Sequence, residues 1–316
     1  METKFAVTHA SGLLAEALLK RMTESGIKSD SVVLLDQEEQ AGNRLSYGDT
    51  YLTVEDQHEY DYEDLTAVLL LEPDAELESL LQHADCFVIS HHSNGQDQQF
   101  FMPDLSQSSS LPEQPCALKL PSAELSSLLL VTQIIQNNFG LSSLNVVNVQ
   151  SSSQYGKSGV DELASQTISL LNGQDVKSSV FPLQLAFNMI PAEAGVEAEQ
   201  QLISALQSDV IKCSVQNIMV PAFHGLCISV SLETTDQIDL KQLTDLLNEQ
   251  SGMQVNQQLV SPLTDCKTGS DVIITGLHQP QNDLNRLQFW IVTDSVRNGL
   301  IENYQNMLEI LLKSFL

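Results

Sequence analysis

The sequence predicts an α/β protein of two domains, a parallel-sheet domain followed by an α+β domain on a mixed or antiparallel sheet. The chain has 316 residues, whereas single hydrophobic cores stop growing near about 250 to 300 residues. In the first half, short apolar runs alternate with helical segments. In the second half, several strand candidates follow one another at hairpin-like spacing. These patterns are typical of a parallel and of a mixed sheet, respectively.

The first half opens with a βαβ unit, because an apolar run, a helical segment and a second apolar run follow in order. An acidic helical segment then separates two further apolar runs. The predicted strands are 4–9, 31–36, 66–72 and 85–90, and the predicted helices are 12–26 and 76–82. Residues 91–121 are rich in Ser, Gln and Pro, which predicts irregular structure near a domain boundary.

A strong helix over 122–140 opens the second half, since Ser122 can cap it and Gly140 can end it. The predicted strands that follow are 144–151, 216–222, 227–233, 271–277 and 286–294. The predicted helices are 159–171, 196–207, 238–248 and 298–315. The last of these is amphipathic, so its Leu/Ile face must be buried.

Charge is the extreme feature of the composition, with 41 acidic against 14 basic residues and a formal net charge of −27. Such a surface repels phosphate backbones and anionic lipid, which argues against nucleic-acid and membrane partners. The charge serves solubility or adaptation to salt, or else attracts a basic partner. No uncharged apolar run approaches the ~20 residues that span a bilayer. The five cysteines include no CxxC pair, which predicts reduced thiols, no metal site and a cytoplasmic location.

Long stretches of the chain resemble bacterial aspartate-semialdehyde dehydrogenases, in order and with matching spacing. The segments are KFAVTHASGLLAEALLKRM (4–22), LLDQEEQAGNRLSYGDTYLTVED (34–56), NVQSSSQYGKSGVDELASQT (148–167), FPLQLAFNMIP (181–191) and RLQFWIVTDSVRNGLIENYQNMLEILL (286–312). The resemblance implies a Rossmann-like NAD(P)-binding domain at 1–121 and a dimerisation domain at 122–298. It also implies a C-terminal helix at 299–316 that returns to the first domain.

The resemblance implies a chemistry whose residues are replaced here. The family interconverts an aldehyde and an acyl phosphate. The reaction proceeds through a cysteine thioacyl intermediate and a hydride transfer to NADP, and it requires a thiolate nucleophile. Ala123 stands at the position of the nucleophile, Leu226 at that of the histidine base and Met219 at that of the substrate-binding arginine. Only Gln150, which orients substrate in the family, is retained. We therefore expect no catalytic residues.

Three nearby residues are candidate substitutes. Cys116 also follows a proline, but its use would insert seven residues and place Pro121 inside the helix. Cys227 has the apolar neighbours of a strand residue in a core. His224 lies two residues from the base position, a shift of roughly 6.6 Å along a strand, and is expected to be a surface or structural histidine. Relocated chemistry at Cys116 remains the alternative.

The glycine loop for the cofactor is degenerate. The GxxGxxG pattern of the family becomes His9, Gly12 and Ala15, so only the middle glycine survives. Asp36 ends a strand and is able to accept hydrogen bonds from a ribose, which leaves weak NAD binding open. Glu39 replaces the arginine that holds the 2′-phosphate of NADP. The prediction is no cofactor, with NADP repelled.

The phosphate-binding residues are also missing. Gln37 replaces the serine that holds the 2′-phosphate, and residues 90–102 contain no counterpart of the family's phosphate-binding arginine. No Lys or Arg occurs between Arg44 and Lys119, so the pocket is not expected to be cationic.

The chain combines the segments that carry the fold with replaced catalytic residues. In this it resembles the degenerate, usg-type relatives of this amino-acid biosynthesis family. The favoured hypothesis is a pseudoenzyme that serves as a scaffold or regulatory subunit, either as a homodimer or as a heterodimer with an active homologue. The alternatives are an oxidoreductase with relocated residues and a small-molecule sensor that uses the old cleft.

Overall fold

A computed structural model describes residues 3–92, 98–103, 111–192, 195–208, 210–266, 272–294 and 299–315. The chain forms two compact units, Met1–Ser122 with Leu300–Leu316, and Ala123–Gly299. We call them unit 1 and unit 2. In the described part of the chain, no helix combines the length and apolar character needed to cross a membrane.

Unit 1 is built on one sheet of eight strands. The strands are β1 (Phe5–Val7), β2 (Val32–Asp36), β3 (Arg44–Tyr47), β4 (Thr50–Asp56), β5 (Ala67–Leu70), β6 (Phe87–Ser90), β7 (Gln99–Phe100) and β8 (Ala117–Lys119). The helices are α1 (Leu13–Glu24), α2 (Ala75–Leu81) and the C-terminal α8 (Leu300–Phe315).

The strand order in unit 1 is β3-β4-β2-β1-β5-β6-β8-β7. All neighbours pair in parallel except β3 and β4, which confirms the predicted parallel sheet. The chain leaves β1 towards β2 and later returns to its other side with β5. Open α/β sheets bind ligands at such a switch point, outside the carboxyl ends of the strands.

Burial explains why the main elements form. The four residues of β5 and of β6 are all buried, as expected for central parallel strands. Helix α1 buries Ala15, Leu18, Leu19 and Met22 against this sheet. The predicted apolar face of α8 is buried in the same core, with Tyr304 fully enclosed.

Two parts of unit 1 differ from the sequence prediction. The hairpin of β3 and β4 was missed because most of its side chains are partly or fully exposed, so its residues do not form an apolar run. The prediction of irregular structure over 91–121 was wrong in part, because β7 and β8 lie within it. Residues 93–97 and 104–110 of that stretch lie outside the described residues.

Unit 2 is built on a seven-stranded sheet. Its strands are β9 (Leu141–Gln150), β10 (Ile190–Pro191), β11 (Lys212–Met219), β12 (Leu226–Thr234), β13 (Met253–Asn256), β14 (Val272–His278) and β15 (Arg286–Thr293). Its helices are α3 (Ala123–Phe139), α4 (Gly156–Leu171), α5 (Val196–Ala205), α6 (Leu240–Glu249) and α7 (Pro262–Asp265).

The sheet of unit 2 is mixed, as predicted, in the order β10-β11-β9-β12-β15-β14-β13. The pairs β9–β11 and β13–β14 are parallel and the others antiparallel. Alternate residues of β12 are fully buried, whereas those between them are partly exposed. Helix α3 packs on β9, β12 and β15. Gly140 follows α3 with φ +64°, a conformation that ends helices and favours glycine. The short strands β10 and β13 were not predicted.

Candidate functional site

The register of the unit 2 sheet brings three of the predicted site positions together. Gln150 ends β9, and its Cα partners are Met219 on β11 and Leu226 on β12. The three residues therefore form one row across adjacent strands. To this row the resemblance assigns the substrate-orienting glutamine, the substrate arginine and the base.

The fourth predicted position, Ala123, begins α3 and is buried. The first turn of this helix reaches the row through the next residue, because Gln150 Nε2 donates to Glu124 Oε1 at 3.0 Å. Glu124 is itself 8% exposed. The retained glutamine is thus held by a carboxylate that sequence reasoning missed, although Glu124 directly follows the nucleophile position.

Apolar packing surrounds the rest of the row. Met219 is buried in a cluster with Leu163 and Phe181, and the Tyr155 hydroxyl donates to its sulfur at 3.4 Å. Leu226 is fully buried. Side chains of this kind accept no proton and bind no carboxylate, so the row offers neither a base nor an anion anchor.

His224 does not approach the base position along a strand. Strand β12 begins only at Leu226, so the strand spacing of roughly 6.6 Å does not apply to His224. The residue is exposed in the connection between β11 and β12. The adjacent Phe223 carbonyl accepts from Ser153 N at 3.0 Å, which fixes this connection to the start of α4.

None of the four thiols with a shifted pKa has a thiolate-stabilising environment. Among the described residues, none of the five cysteines forms a disulfide bond. Burial raises the pKa of Cys116 and Cys227, and it raises that of Cys86 to about 12 and that of Cys213 to about 11. Reactive cysteines have the opposite shift. Cys116 lies just before β8, where its carbonyl accepts from Val88 N, and not at the start of a helix.

In unit 1, the loop between β1 and α1 has a left-handed residue at the position of the first glycine of the family pattern. His9 has φ +50°, a left-handed conformation that costs a residue with a side chain roughly 1 kcal/mol. Its carbonyl accepts from Gly12 N at 2.9 Å, which closes a tight turn. Ala15, at the third glycine position, is fully buried in α1.

Asp36 is already engaged at both oxygens. Its Oδ2 accepts from Ser11 N at 2.8 Å and its Oδ1 from Gln37 N at 2.9 Å. The side chain is therefore used to tie the end of β2 to the β1–α1 loop. A ribose diol would have to compete with these backbone donors.

Acidic side chains surround the same edge of the sheet. Glu72 follows β5, and its Oε1 lies 2.9 Å from the position that a Cβ at Gly12 would occupy. Burial raises the pKa of Glu72, the positive charge of His9 opposes this shift, and the charge of Asp36 adds to it. Sequence reasoning missed Glu72, although its place after a buried strand was a usable signal.

Histidines at this edge contact further acids. Asp74 Oδ2 accepts from Gln57 Nε2 at 2.8 Å and lies 3.5 Å from His58 Nε2 and 3.7 Å from His9 Nε2. Burial and the charge of Lys119 also lower the pKa of two further histidines, to about 4 for His91 and, with a contribution from His91 itself, to about 3 for His92. Across the described residues, no cluster of His, Cys, Asp and Glu is arranged to hold a metal ion.

One lysine lies among these acidic residues. Lys119 ends β8, at the same edge as the histidines, and is buried. The acidic residues that end or follow the strands here still outnumber it. They are Asp36, Asp56, Glu72 and Asp74.

The sequence profile described as "Semialdehyde dehydrogenase, dimerisation domain" matches residues 132–298. The chain belongs to this family. It is 26% identical over 337 residues to aspartate-semialdehyde dehydrogenase 2 of Vibrio cholerae, covering 98% of each chain. It is 27% identical over 340 residues to a USG-1 protein homolog of Pseudomonas aeruginosa, again covering 98% of each chain. The resemblance to aspartate-semialdehyde dehydrogenases and to their usg-type relatives is thereby confirmed.

Solved structures agree with this assignment. The fold matches aspartate semialdehyde dehydrogenase II of Vibrio cholerae complexed with ASA, with a TM-score of 0.84, 22% identity and 100% coverage of both chains. It also matches a probable aspartate-semialdehyde dehydrogenase of Pseudomonas aeruginosa, with a TM-score of 0.82, 25% identity and the same coverage.

The family segment DELASQT has a structural role in unit 2. Glu162 Oε2 accepts from Ser179 N, Ser179 Oγ and Val180 N at 2.9, 2.6 and 2.7 Å, and its Oε1 accepts from Phe181 N at 3.3 Å. Gln166 Oε1 accepts from Leu185 N and Ala186 N. The two side chains of α4 thus hold another segment of the resemblance, FPLQLAFN, in place.

The β1–α1 loop does not keep the features of a dinucleotide-binding loop. A pyrophosphate usually approaches backbone amides at a glycine-rich turn and the N-terminus of a helix. In this chain, Ser11 N already donates to Asp36 and Glu72 faces Gly12. The residues present therefore do not fit a dinucleotide in the usual mode.

Proposed function

We propose that the chain is a non-catalytic member of the semialdehyde dehydrogenase family that serves as a scaffold or regulatory subunit. One observation carries the proposal. Gln150 is flanked in register by Met219 and Leu226, and it is hydrogen-bonded to the residue that follows Ala123. The positions that the resemblance assigns to catalysis therefore meet in one place without a nucleophile, a base or an anchor for an anion.

The chemistry of the family cannot proceed from these side chains. A thioacyl intermediate needs a thiolate and a group that moves a proton. Alanine, methionine and leucine supply neither. The raised pKa values of Cys116 and Cys227 argue against a nucleophile elsewhere. We further propose that NADP does not bind and that any affinity for NAD is weak, because the Asp36 oxygens already accept two backbone amides.

We propose that unit 2 forms a homodimer. The description of the matching family as a dimerisation domain supports this. The outer face of its sheet is suited to a partner, because Trp290 on β15 is 42% exposed there and pairs with Ser229 on β12 and Thr275 on β14. A heterodimer with an active homologue is the other form of this proposal. A cytoplasmic location, suggested by cysteines that form no disulfide bond among the described residues, completes it.

The decisive experiment is an activity assay of the purified full chain. Aspartate semialdehyde, phosphate and NADP are supplied, and the absorbance of the reduced cofactor is followed. The Vibrio cholerae dehydrogenase assayed in parallel is the positive control. We expect no turnover above the rate without protein. Turnover that Cys116→Ser abolishes would instead establish relocated chemistry and overturn the proposal.

A further inference from the structure

Glu72 occupies the place at which unit 1 would receive a phosphate. It follows β5, which borders β1 at the switch point of the sheet. Its Oε1 lies 2.9 Å from where a Cβ on Gly12 would be, and Gly12 is the N-cap of α1. The room left by the missing side chain of Gly12 is therefore filled by a carboxylate from the neighbouring strand.

This carboxylate is not placed there for stability. Burial raises its pKa, His9 opposes the shift and Asp36 increases it. The fold therefore holds a negative charge at this position at a cost when the pH is neutral. Residues kept in such an unfavourable state are concentrated at functional sites.

We propose that Glu72 is a specificity determinant that excludes phosphate-bearing ligands from the β1–α1 loop, leaving the edge open to neutral or cationic molecules only. The inference rests on the proposed function and deepens it by naming the residue that closes the nucleotide position. An incoming pyrophosphate would meet Glu72 beside Asp36. Like charges repel more strongly in such a partly buried site than in water, because less solvent screens them.

The groups that face Glu72 set how the exclusion depends on pH. His9 comes from the β1–α1 loop and Asp36 from the end of β2, while Asp74 at the start of α2 lies beside His9. As the pH falls through the raised pKa of Glu72, the carboxylate takes up a proton, so the exclusion weakens.

The test measures binding of inorganic pyrophosphate to the full chain by calorimetry at pH 8. Wild type is compared with Glu72→Gln and with Glu16→Gln, which removes an exposed carboxylate from the first turn of the same helix. We expect Glu72→Gln to gain about tenfold or more in affinity, equivalent to one pKa unit of interaction. Glu16→Gln should resemble wild type. Equal affinity in all three proteins would overturn the inference.

A second readout uses thermal stability without any ligand. A carboxyl whose folded-state pKa is raised makes the protein more stable as the pH falls through that pKa. Glu72→Gln should therefore melt higher than wild type at pH 8, and the difference should vanish towards pH 4. A melting temperature below that of wild type at pH 8 would assign Glu72 to the fold and refute the proposal.

The two tests also separate this inference from the proposed function. Turnover by wild type would refute the non-catalytic assignment without changing the comparison between the two glutamine variants. If Glu72→Gln does not fold, Glu72→Ala replaces it in the same pyrophosphate titration at pH 8, with the same gain in affinity over wild type expected. An unchanged affinity would contradict the role of Glu72.

Discussion

Replacing Glu162 by Gln should destabilise unit 2 strongly, although the residue is far in sequence from the segment it holds. Glu162 is 8% exposed. Its carboxylate accepts from two donors of Ser179 and from the backbone amides of Val180 and Phe181. A glutamine offers one accepting oxygen and turns an NH₂ group towards donors, so at least two of these bonds are lost.

The magnitude follows from the bonds lost. Each hydrogen bond to a charged group contributes about 1.5 kcal/mol or more, so loss of two gives about 3 kcal/mol. A unit of this size loses about 2 to 4 °C in melting temperature per kcal/mol, which predicts a fall of about 6 to 12 °C. The matched control is Asp161→Asn, which removes one charge from the neighbouring, exposed position of α4 and should change stability by less than about 0.5 kcal/mol.

The pH dependence gives the same prediction a second test. Burial alone would raise the pKa of Glu162, but the hydrogen bonds from Ser179, Val180 and Phe181 outweigh it and lower the pKa below its ordinary range. The stabilisation is therefore complete above the ordinary carboxyl pKa and is lost as the pH falls through the lowered value. Urea unfolding of both variants and wild type at pH 7 and near pH 3 measures this. Equal stability of Glu162→Gln and Asp161→Asn at pH 7 would refute the reasoning.

Three further predictions use other parts of the molecule. Gly159→Ala should unfold the start of α4, because the Cβ of the new alanine would lie 2.4 Å from the Ser152 carbonyl oxygen. Calorimetry should then show no unfolding transition for unit 2, and a normal transition would contradict the prediction. Unit 1 should lose stability as the pH falls from about 6.5 towards 4, because the folded state resists protonation of His91 and His92. Replacing both histidines by Gln should reduce the fall of melting temperature with pH, and an unchanged fall would show that these histidines do not cause it. Dimerisation should strengthen with added salt, since screening over about 8 to 10 Å reduces the repulsion between the acidic copies. Trp290→Asp should weaken dimerisation. Ultracentrifugation that shows a monomer at both low and high salt would refute the dimer.

The sequence by itself determined the fold class and most of the elements. Apolar runs such as VVLLD and AVLL predict buried strands wherever they occur, because their period and burial are local properties of the chain. The resemblance carried by DELASQT and FPLQLAFN identified the family from residues whose role is structural. The exposed hairpin of Arg44–Tyr47 and Thr50–Asp56 escaped prediction because its pairing satisfies backbone hydrogen bonds without an apolar signature.

Only the tertiary structure decided which residues meet. Strand register placed Met219 and Leu226 on either side of Gln150, and no spacing along the chain predicts which positions of three strands align. The same holds for Glu124 beside Gln150 and for Glu72 beside Gly12, 60 positions away by the difference of their numbers. A side chain's electrostatic environment depends on neighbours from distant segments. Composition could therefore predict an acidic protein, but only the fold determined that its acids would surround the β1–α1 loop.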